Sequence, residues 1–304
     1  MSLTTQTTHT PSRKAGKRTA ALLTYLILIF FSFLFIFPVL FMVVSSFKDN
    51  PGIFSDLRSL KAFLPVGNVS LDNFAYIFER GNILLYFKNS LIVSGVTVVL
   101  SILVNSMAAF ALARLRWKGR TLILGFVIAL MIVPFDAIAI PLLLLVSKFP
   151  VLHIGADGIN FSGTWLNTQT VQIVPFVASA FNIFLFYQFF LDIPRELDEA
   201  ASIDGATPWQ IYWKIVMPIA RPVVATCAIL GFLAMWNQYL WPIMTVQSTA
   251  ARPLQPGIQE FFGRTTQWGQ VLAYTSLITL PMLLVFLMFQ KWFVKSVATN
   301  GLKG

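Results

Sequence analysis

Between Asp192 and Pro222 the chain reads Asp192-Ile-Pro-Arg-Glu-Leu-Asp-Glu-Ala-Ala-Ser-Ile-Asp-Gly-Ala-Thr-Pro-Trp-Gln-Ile-Tyr-Trp-Lys-Ile-Val-Met-Pro-Ile-Ala-Arg-Pro222, a polar stretch dense in helix signals. Pro194 ahead of Glu196, Asp198 and Glu199 fits the first turns of a helix, where proline sacrifices no hydrogen bond and carboxylates face the positive end of the dipole. Gly205 supplies a stop. Thr207, Pro208 and Gln210 then read as N-cap, first-turn proline and capping-box partner of a second helix. The spacing predicts two short helices around a glycine corner, with Ala200 and Ala201 giving the first a smooth side that another protein can approach closely. The chemistry is docking; an amphipathic loop lying on a membrane surface is the alternative.

Catalysis finds little support. His9 and His153 are too scattered for a metal or a nucleophile pair, and Ser101 and Ser106 have no candidate base beside them. An intramembrane enzyme is therefore the weaker class. No Gly-x-x-x-x-Gly-Lys-[Ser/Thr] occurs, so the chain cannot cradle ATP phosphates in a P-loop. Cys227 is the single cysteine and lies in an apolar run, which excludes a disulfide framework and a thiolate metal set. No cofactor is expected on this chain.

Two further sets of residues stand out inside apolar runs. Asp136 follows Pro134; a carboxylate in mid-bilayer costs about 2.5–3.5 kcal/mol on insertion scales and must face a partner or water. It lies on a solute pathway or at a gate, or else at a helix end near the outer surface. Trp236, Asn237, Gln238, Tyr239 and Trp241 crowd one stretch. Aromatic faces beside amides suit sugars, but Trp and Tyr also form the interfacial belt.

The elements that must hold these residues are membrane helices. The 304 residues are 57% hydrophobic and 11% charged with a mean hydropathy of +0.74, against roughly 25% charged in soluble domains. Spans of roughly 20 apolar residues are predicted at Ala20–Ser46, Asn89–Ala113, Thr121–Ser147, Val171–Leu191, Val223–Val246 and Val271–Val294. The first is too long for a signal h-region and has no cleavage site, so it reads as an anchor. The first ten residues are expected to be disordered. One membrane domain, 19–304, follows a tail at 1–18, with the polar loop at 192–222.

The net charge of +10 sits in short clusters between apolar runs, which orientation in the membrane explains better than nucleic-acid binding. A cytoplasmic N-terminus places fourteen of the 22 Lys and Arg inside, among them Arg114, Arg116, Lys118 and Arg120. Both termini are thereby expected in the cytoplasm. The outer loops, Lys48–Lys88, Lys148–Thr170 and Gln247–Gln270, are long enough to meet another protein or serve as connectors. Pro38, Pro134, Pro141, Pro175, Pro242 and Pro281 fall within spans, where the carbonyls they free need a partner or a polar cavity.

Glu199-Ala200-Ala201, Gly205, Ile215 and Pro218 at their spacing resemble the Glu-Ala-Ala loop of binding-protein-dependent ATP-binding cassette importer permeases; Met217 stands where leucine is common. Phe87-Lys-Asn-Ser-Leu, Ala108-Ala-Phe-Ala-Leu-Ala-Arg114, Trp236-Asn-Gln-Tyr-Leu-Trp-Pro242 and Asn300-Gly-Leu-Lys-Gly304 look like the carbohydrate-uptake branch, its shorter six-span, maltose-type subunit. The resemblance implies an all-α membrane fold whose loop docks on an ATPase subunit through Glu199, Ala200, Ala201, Asp204, Gly205 and Ala206. It implies a second permease subunit, an ATPase pair that binds ATP and Mg, and an extracytoplasmic solute-binding protein. It further implies that the loop with Arg252, Pro253 and Leu254 reaches that binding protein, and that the cargo is a mono- or oligosaccharide or a related polyol. Glycosylglycerol, a glycerol phosphoester, or a non-transport adaptor that anchors an ATPase are the alternatives.

Overall fold

A computed structural model describes the backbone of residues 13–155 and 158–301, and side chains over 21–150 and 163–288. The first ten residues, the side chains of His9 and His153, and the closing Lys-Gly motif lie outside the described residues. The chain divides into two compact units, residues 1–75 with 267–276, and residues 76–266 with 277–304.

In the first unit, α1 (Arg13–Ser45) carries Pro38 in its interior. Its side chains from 21 to 40 are all exposed, as expected of a helix that faces lipid or another chain. The loop beyond is folded. The Lys48 side chain, 2% exposed, donates to Asp56 at 2.9 Å and to the Lys61 carbonyl at 2.7 Å. Helix α2 (Asn50–Asp56) is capped by Asp49, which accepts from the Gly52 N–H at 2.9 Å. Asn73, on α3 (Asp72–Arg80), donates to the Ser46 and Lys48 carbonyls, each at 2.9 Å. Gly269 packs so closely here that a Cβ would stand 2.5 Å from the Lys48 carbonyl oxygen, which requires glycine.

The second unit is built around α4 (Ile83–Ala113), which starts six residues before the predicted span because Asn82 takes a left-handed conformation and opens it. The predicted third span is not one helix. It breaks into α5 (Arg120–Leu130) and α6 (Phe135–Val146), bent by 105°. Pro134 has no N–H to continue α5 and disfavours helical backbone at Val133. The loop after α6 holds an antiparallel strand pair, β1 (Val151–Gly155) with β2 (Gly158–Ser162), the strands among the described residues. A short α7 (Thr170–Ile173) leads through a break at Pro175 into α8 (Ala180–Asp192). The polar loop forms α9 (Glu196–Ile203) and α10 (Pro208–Ile219). Residues 212–216 of α10 widen into a π turn, which absorbs the bond that Pro218 cannot donate to Lys214. Helix α11 (Arg221–Trp236) follows at 77°.

The predicted fifth span also breaks, between α11 and α12 (Leu240–Thr245). The ring of Pro242 would collide with the carbonyl of Gln238 in a continuous helix. The last helix, α13, runs from Trp268 to Gly301.

Hydrogen bonds settle how the bent pairs run. Arg114, just past α4, donates to the carbonyl of Ile193, just past α8, at 2.7 Å. At the opposite ends, Gln169 donates to Asn89 at 3.1 Å. Helices α4 and α8 therefore run the same way, and the chain between them must return across the bilayer once. The α5–α6 pair is one bent crossing. Helices α11 and α12 together make another, because the far end of α12 meets the chain just before α7: Asn167 accepts from the Gln247 N–H at 2.6 Å and donates its N–H to the Thr245 carbonyl at 2.9 Å. With α1 and α13, each long and apolar enough to cross, the six predicted spans are accounted for.

Candidate functional site

The loop between α8 and α11 adopts the predicted helix, glycine corner and helix. Gly205 has φ +81 and nothing within 4 Å of the position a Cβ would take. Thr207 accepts from the Gln210 N–H at 3.3 Å while the Gln210 side chain accepts from the Thr207 N–H at 2.8 Å, the reciprocal pair of a capping box. Helix α9 begins at Glu196, with Pro194 just ahead of it.

Of the six residues expected at the docking face, Glu199, Ala200, Asp204 and Gly205 are exposed. Ala201 and Ala206 turn inward, against a buried cluster that includes Phe110, Phe190, Ile211 and Tyr212. The two alanines thus divide: Ala200 shapes the surface and Ala201 seats the helix. Sequence reasoning missed Ile203, 87% exposed at the corner, because a single isoleucine in an amphipathic helix carries no sign of the direction it faces.

The loop is anchored to α4 from both of its helices. The Tyr212 hydroxyl lies 2.7 Å from the Ser106 hydroxyl. The Arg114 guanidinium sits 3.4 Å from the Asp198 carboxylate, and Arg195 donates to the Ala113 carbonyl at 3.4 Å. Burial lowers the pKa of Arg114 and raises that of Asp198, in each case against the partner's opposing charge. Desolvation outweighs attraction, so the pair fixes geometry more than it stabilises.

A second site lies within the helices. Ser90, Ser94, Thr97, Ser101 and Asn105 recur at helical spacing along α4 and are all buried. Ser101 accepts from Asn105 at 2.7 Å and from Asn182 of α8 at 3.1 Å. Asn105 also accepts from the Ser179 N–H at 2.9 Å and donates to the Val177 carbonyl at 3.0 Å, satisfying the backbone freed by the break at Pro175. The hydroxyls of Ser94 and Thr97 have no hydrogen-bond partner. Thr97, Ser101 and Asn182, with Phe135, Phe176 and Met235, line a cavity of about 380 Å³ at the α5–α6 bend. The signal was present as serines, threonine and asparagine every three or four residues, but in an apolar helix it was masked by the leucines and valines between them.

Asp136 sits in the first turn of α6 and is exposed. It is a helix-start carboxylate favoured by the dipole, next to Phe135 of the cavity wall. The aromatic stretch divides at the α11–α12 break. Trp236 is 1% exposed and donates to the Ile278 carbonyl at 3.2 Å, so its side chain belongs to the packing and offers no face to a solute. Trp241 is equally committed, to the Val171 carbonyl at 2.8 Å. Asn237 and Tyr239 are exposed and Gln238 half-buried; Gln255 donates to Asn237 at 3.4 Å and Gln259 to Tyr239 at 3.0 Å.

The loop at 247–270 departs from expectation at the residues proposed to meet a binding protein. Pro253 and Leu254 are buried, the Leu254 N–H donating to Ser90 at 2.8 Å. Arg252 pairs with Glu260 at 2.7 Å, and Glu260 in turn accepts from the Tyr86 hydroxyl. Asn89 donates to the Ala250 and Arg252 carbonyls, each at 2.9 Å. These residues strap the loop onto α4, and its exposed positions are instead 247–250, 259–260, 262–265 and 267–268. Among the described residues no cluster of His, Cys, Asp and Glu suits a metal.

Residues 98–299 match the family described as Binding-protein-dependent transport system inner membrane component. The chain is similar to the arabinooligosaccharides transport system permease protein of Halalkalibacterium halodurans, 31% identical over 296 residues, which cover 95% of this chain and 99% of that one. It is similar to the lactose transport system permease protein of Rhizobium radiobacter, 31% identical over 282 residues, covering 92% and 96%. Its fold is similar to that in a crystal structure of a bacterial ABC transporter involved in the import of the acidic polysaccharide alginate, with a TM-score of 0.76 at 20% identity, over 94% of this chain and 100% of that one.

Proposed function

The chain belongs to the binding-protein-dependent transport system inner membrane component family, as a carbohydrate-uptake type permease subunit, and from that premise we propose that it carries a neutral sugar or oligosaccharide inward as half of a translocation pathway. Its partners are a second permease subunit, a pair of ATPase subunits that bind ATP and Mg, and an extracytoplasmic solute-binding protein. The face that carries Arg114, Arg116 and Arg195 is cytoplasmic, in keeping with the positive-inside rule. The ATPase meets Glu199, Ala200, Ile203, Asp204 and Gly205, with Ala201 and Ala206 holding that surface in place.

The observation that carries the reading is the cavity at the α5–α6 bend. Its wall joins aromatic rings to the Thr97 hydroxyl, Ser101 and Asn182 and includes no charged side chain. Rings stack on the CH faces of a sugar while hydroxyls and amides bond its hydroxyls. A glycerol phosphoester would find no cation there to balance its charge, so the neutral saccharide is favoured. Asn237, Gln238 and Tyr239 at the helix break, and Asp136 beside Phe135, lie further along the pathway, whereas Trp236 supports it from behind.

Reconstitution of the complex in liposomes tests this. ATP-dependent accumulation of a labelled neutral oligosaccharide is expected, with Thr97→Val raising KM about tenfold, the equivalent of one lost hydrogen bond of roughly 1.4 kcal/mol. Accumulation of a phosphoester and not of any neutral saccharide would overturn the sugar assignment. ATP hydrolysis with no solute movement would favour an adaptor.

A further inference from the structure

A buried ion pair stands where the docking helix meets the transmembrane bundle. Arg114 follows the last residue of α4, and its side chain is 3% exposed, against 20% for Asp198. One guanidinium nitrogen donates to the Ile193 carbonyl at 2.7 Å, and another lies 3.4 Å from Asp198 of α9. Its Nε and one oxygen of Asp198 are buried without a partner. The pair is thus neither fully satisfied nor solvated, an arrangement that contributes little stability for two desolvated charges. What it does supply is a fixed distance. The planar fork of arginine engages two points at once, the turn after α8 and the first turn of α9.

We propose that Arg114 is a positioning residue that clamps α9 to the end of α4 through Ile193 and Asp198, so that displacement of the docking helix moves α4 as one body. Helix α4 also carries Thr97 and Ser101 in the cavity wall. Thirteen residues separate Ser101 from Arg114, so a rigid helix carries the movement about 20 Å at 1.5 Å per residue. Without the clamp, α9 is held by Ala201, Ala206 and Arg195, and shifts of the docked loop dissipate in the turn at 192–195. The effect on transport rests on the proposed function; the effect on geometry does not.

The full chain in lipid nanodiscs, with Cys227→Ala and spin labels at Val99→Cys on α4 and Ser202→Cys on α9, gives the distance between the two elements by pulsed electron resonance. A narrow distribution is expected in the parent, broadened by Arg114→Met and by the gentler Asp198→Asn, and partly restored by Arg114→Lys. In the assembled transporter, unlabelled Arg114→Met is expected to retain ATP hydrolysis while solute moved per ATP falls about tenfold, within the range by which single residues alter coupling. Should Arg114→Met not insert, Asp198→Asn alone decides. An unchanged distribution in a variant that inserts overturns the clamp. A parent complex that moves no solute would overturn the proposed function instead, and leave the distance result standing on its own.

Discussion

At Gly205 the demand on the residue is purely conformational. Its φ of +81 lies in the left-handed region, and no atom stands within 4 Å of where a Cβ would project. An L-residue there costs roughly 1–2 kcal/mol, most for a β-branched side chain and least for asparagine. Gly205→Val is therefore expected to weaken co-purification of the ATPase and to uncouple hydrolysis from uptake, whereas Gly205→Asn retains both. Pull-down followed by an ATPase assay separates the two, and equal loss in both variants would assign the effect to contact at the corner in place of backbone strain. The glycine was legible because helix stops are local: Gly205, Thr207, Pro208 and Gln210 announce a corner within six residues. The direction of the side chains around it was not. Ala200 and Ala201 are identical in type and differ only in what lies beneath them, Phe110 and its neighbours, which come from another helix nearly a hundred residues away. The inward turn of Leu254 was hidden for the same reason.

At the scale of elements, prolines flagged the irregular spans, but the bends they produce depend on groups brought from elsewhere. Pro134 stands just before α6 and Pro242 in the first turn of α12, each beside a break, while Pro38, Pro141 and Pro281 lie within continuous helices. At the break after Pro175 the backbone is met by a distant segment, Asn105 bonding Val177 and Ser179 across 72 and 74 residues of sequence. The strap of the loop at 247–270 obeys the same rule. Asn89 donates to the carbonyls of Ala250 and Arg252 and accepts from Gln169. Asn89→Leu leaves those groups unpaired at about 1–3 kcal/mol each where water cannot reach them. The expected result is a loosened loop, read as faster chymotryptic cleavage after Leu254, which is 1% exposed in the parent, in intact proteoliposomes oriented with that loop outward. Cleavage at the parent rate would mean that Ser90, Gln172, which donates to the Ala251 carbonyl at 2.9 Å, and the Arg252–Glu260 pair suffice to hold it.

For the whole molecule, the count of crossings decides which loops can meet which partners. Helix lengths alone allow four crossings, or six if the bent pairs α5–α6 and α10–α11 each belong to one span, and a 105° bend at Pro134 resembles a re-entrant loop as much as a span. The contacts at the two ends of α4 decide between them. Arg114 touches Ile193, and Asn89 touches Gln169, so α5 and α6 together must carry the chain from the arginine-rich face to the opposite one. In a Cys227→Ala background, Lys118→Cys and Ser202→Cys are then expected to react with an impermeant maleimide from one face only, and Lys148→Cys and Ser248→Cys from the other. All four positions are exposed. A re-entrant pair would return Lys148 to the side of Lys118, and labelling of those two together would reverse the assignment of the hairpin loop. It would also place the loop at 148–169 beside the ATPase, away from the surface at 247–250 on which a solute-binding protein would settle.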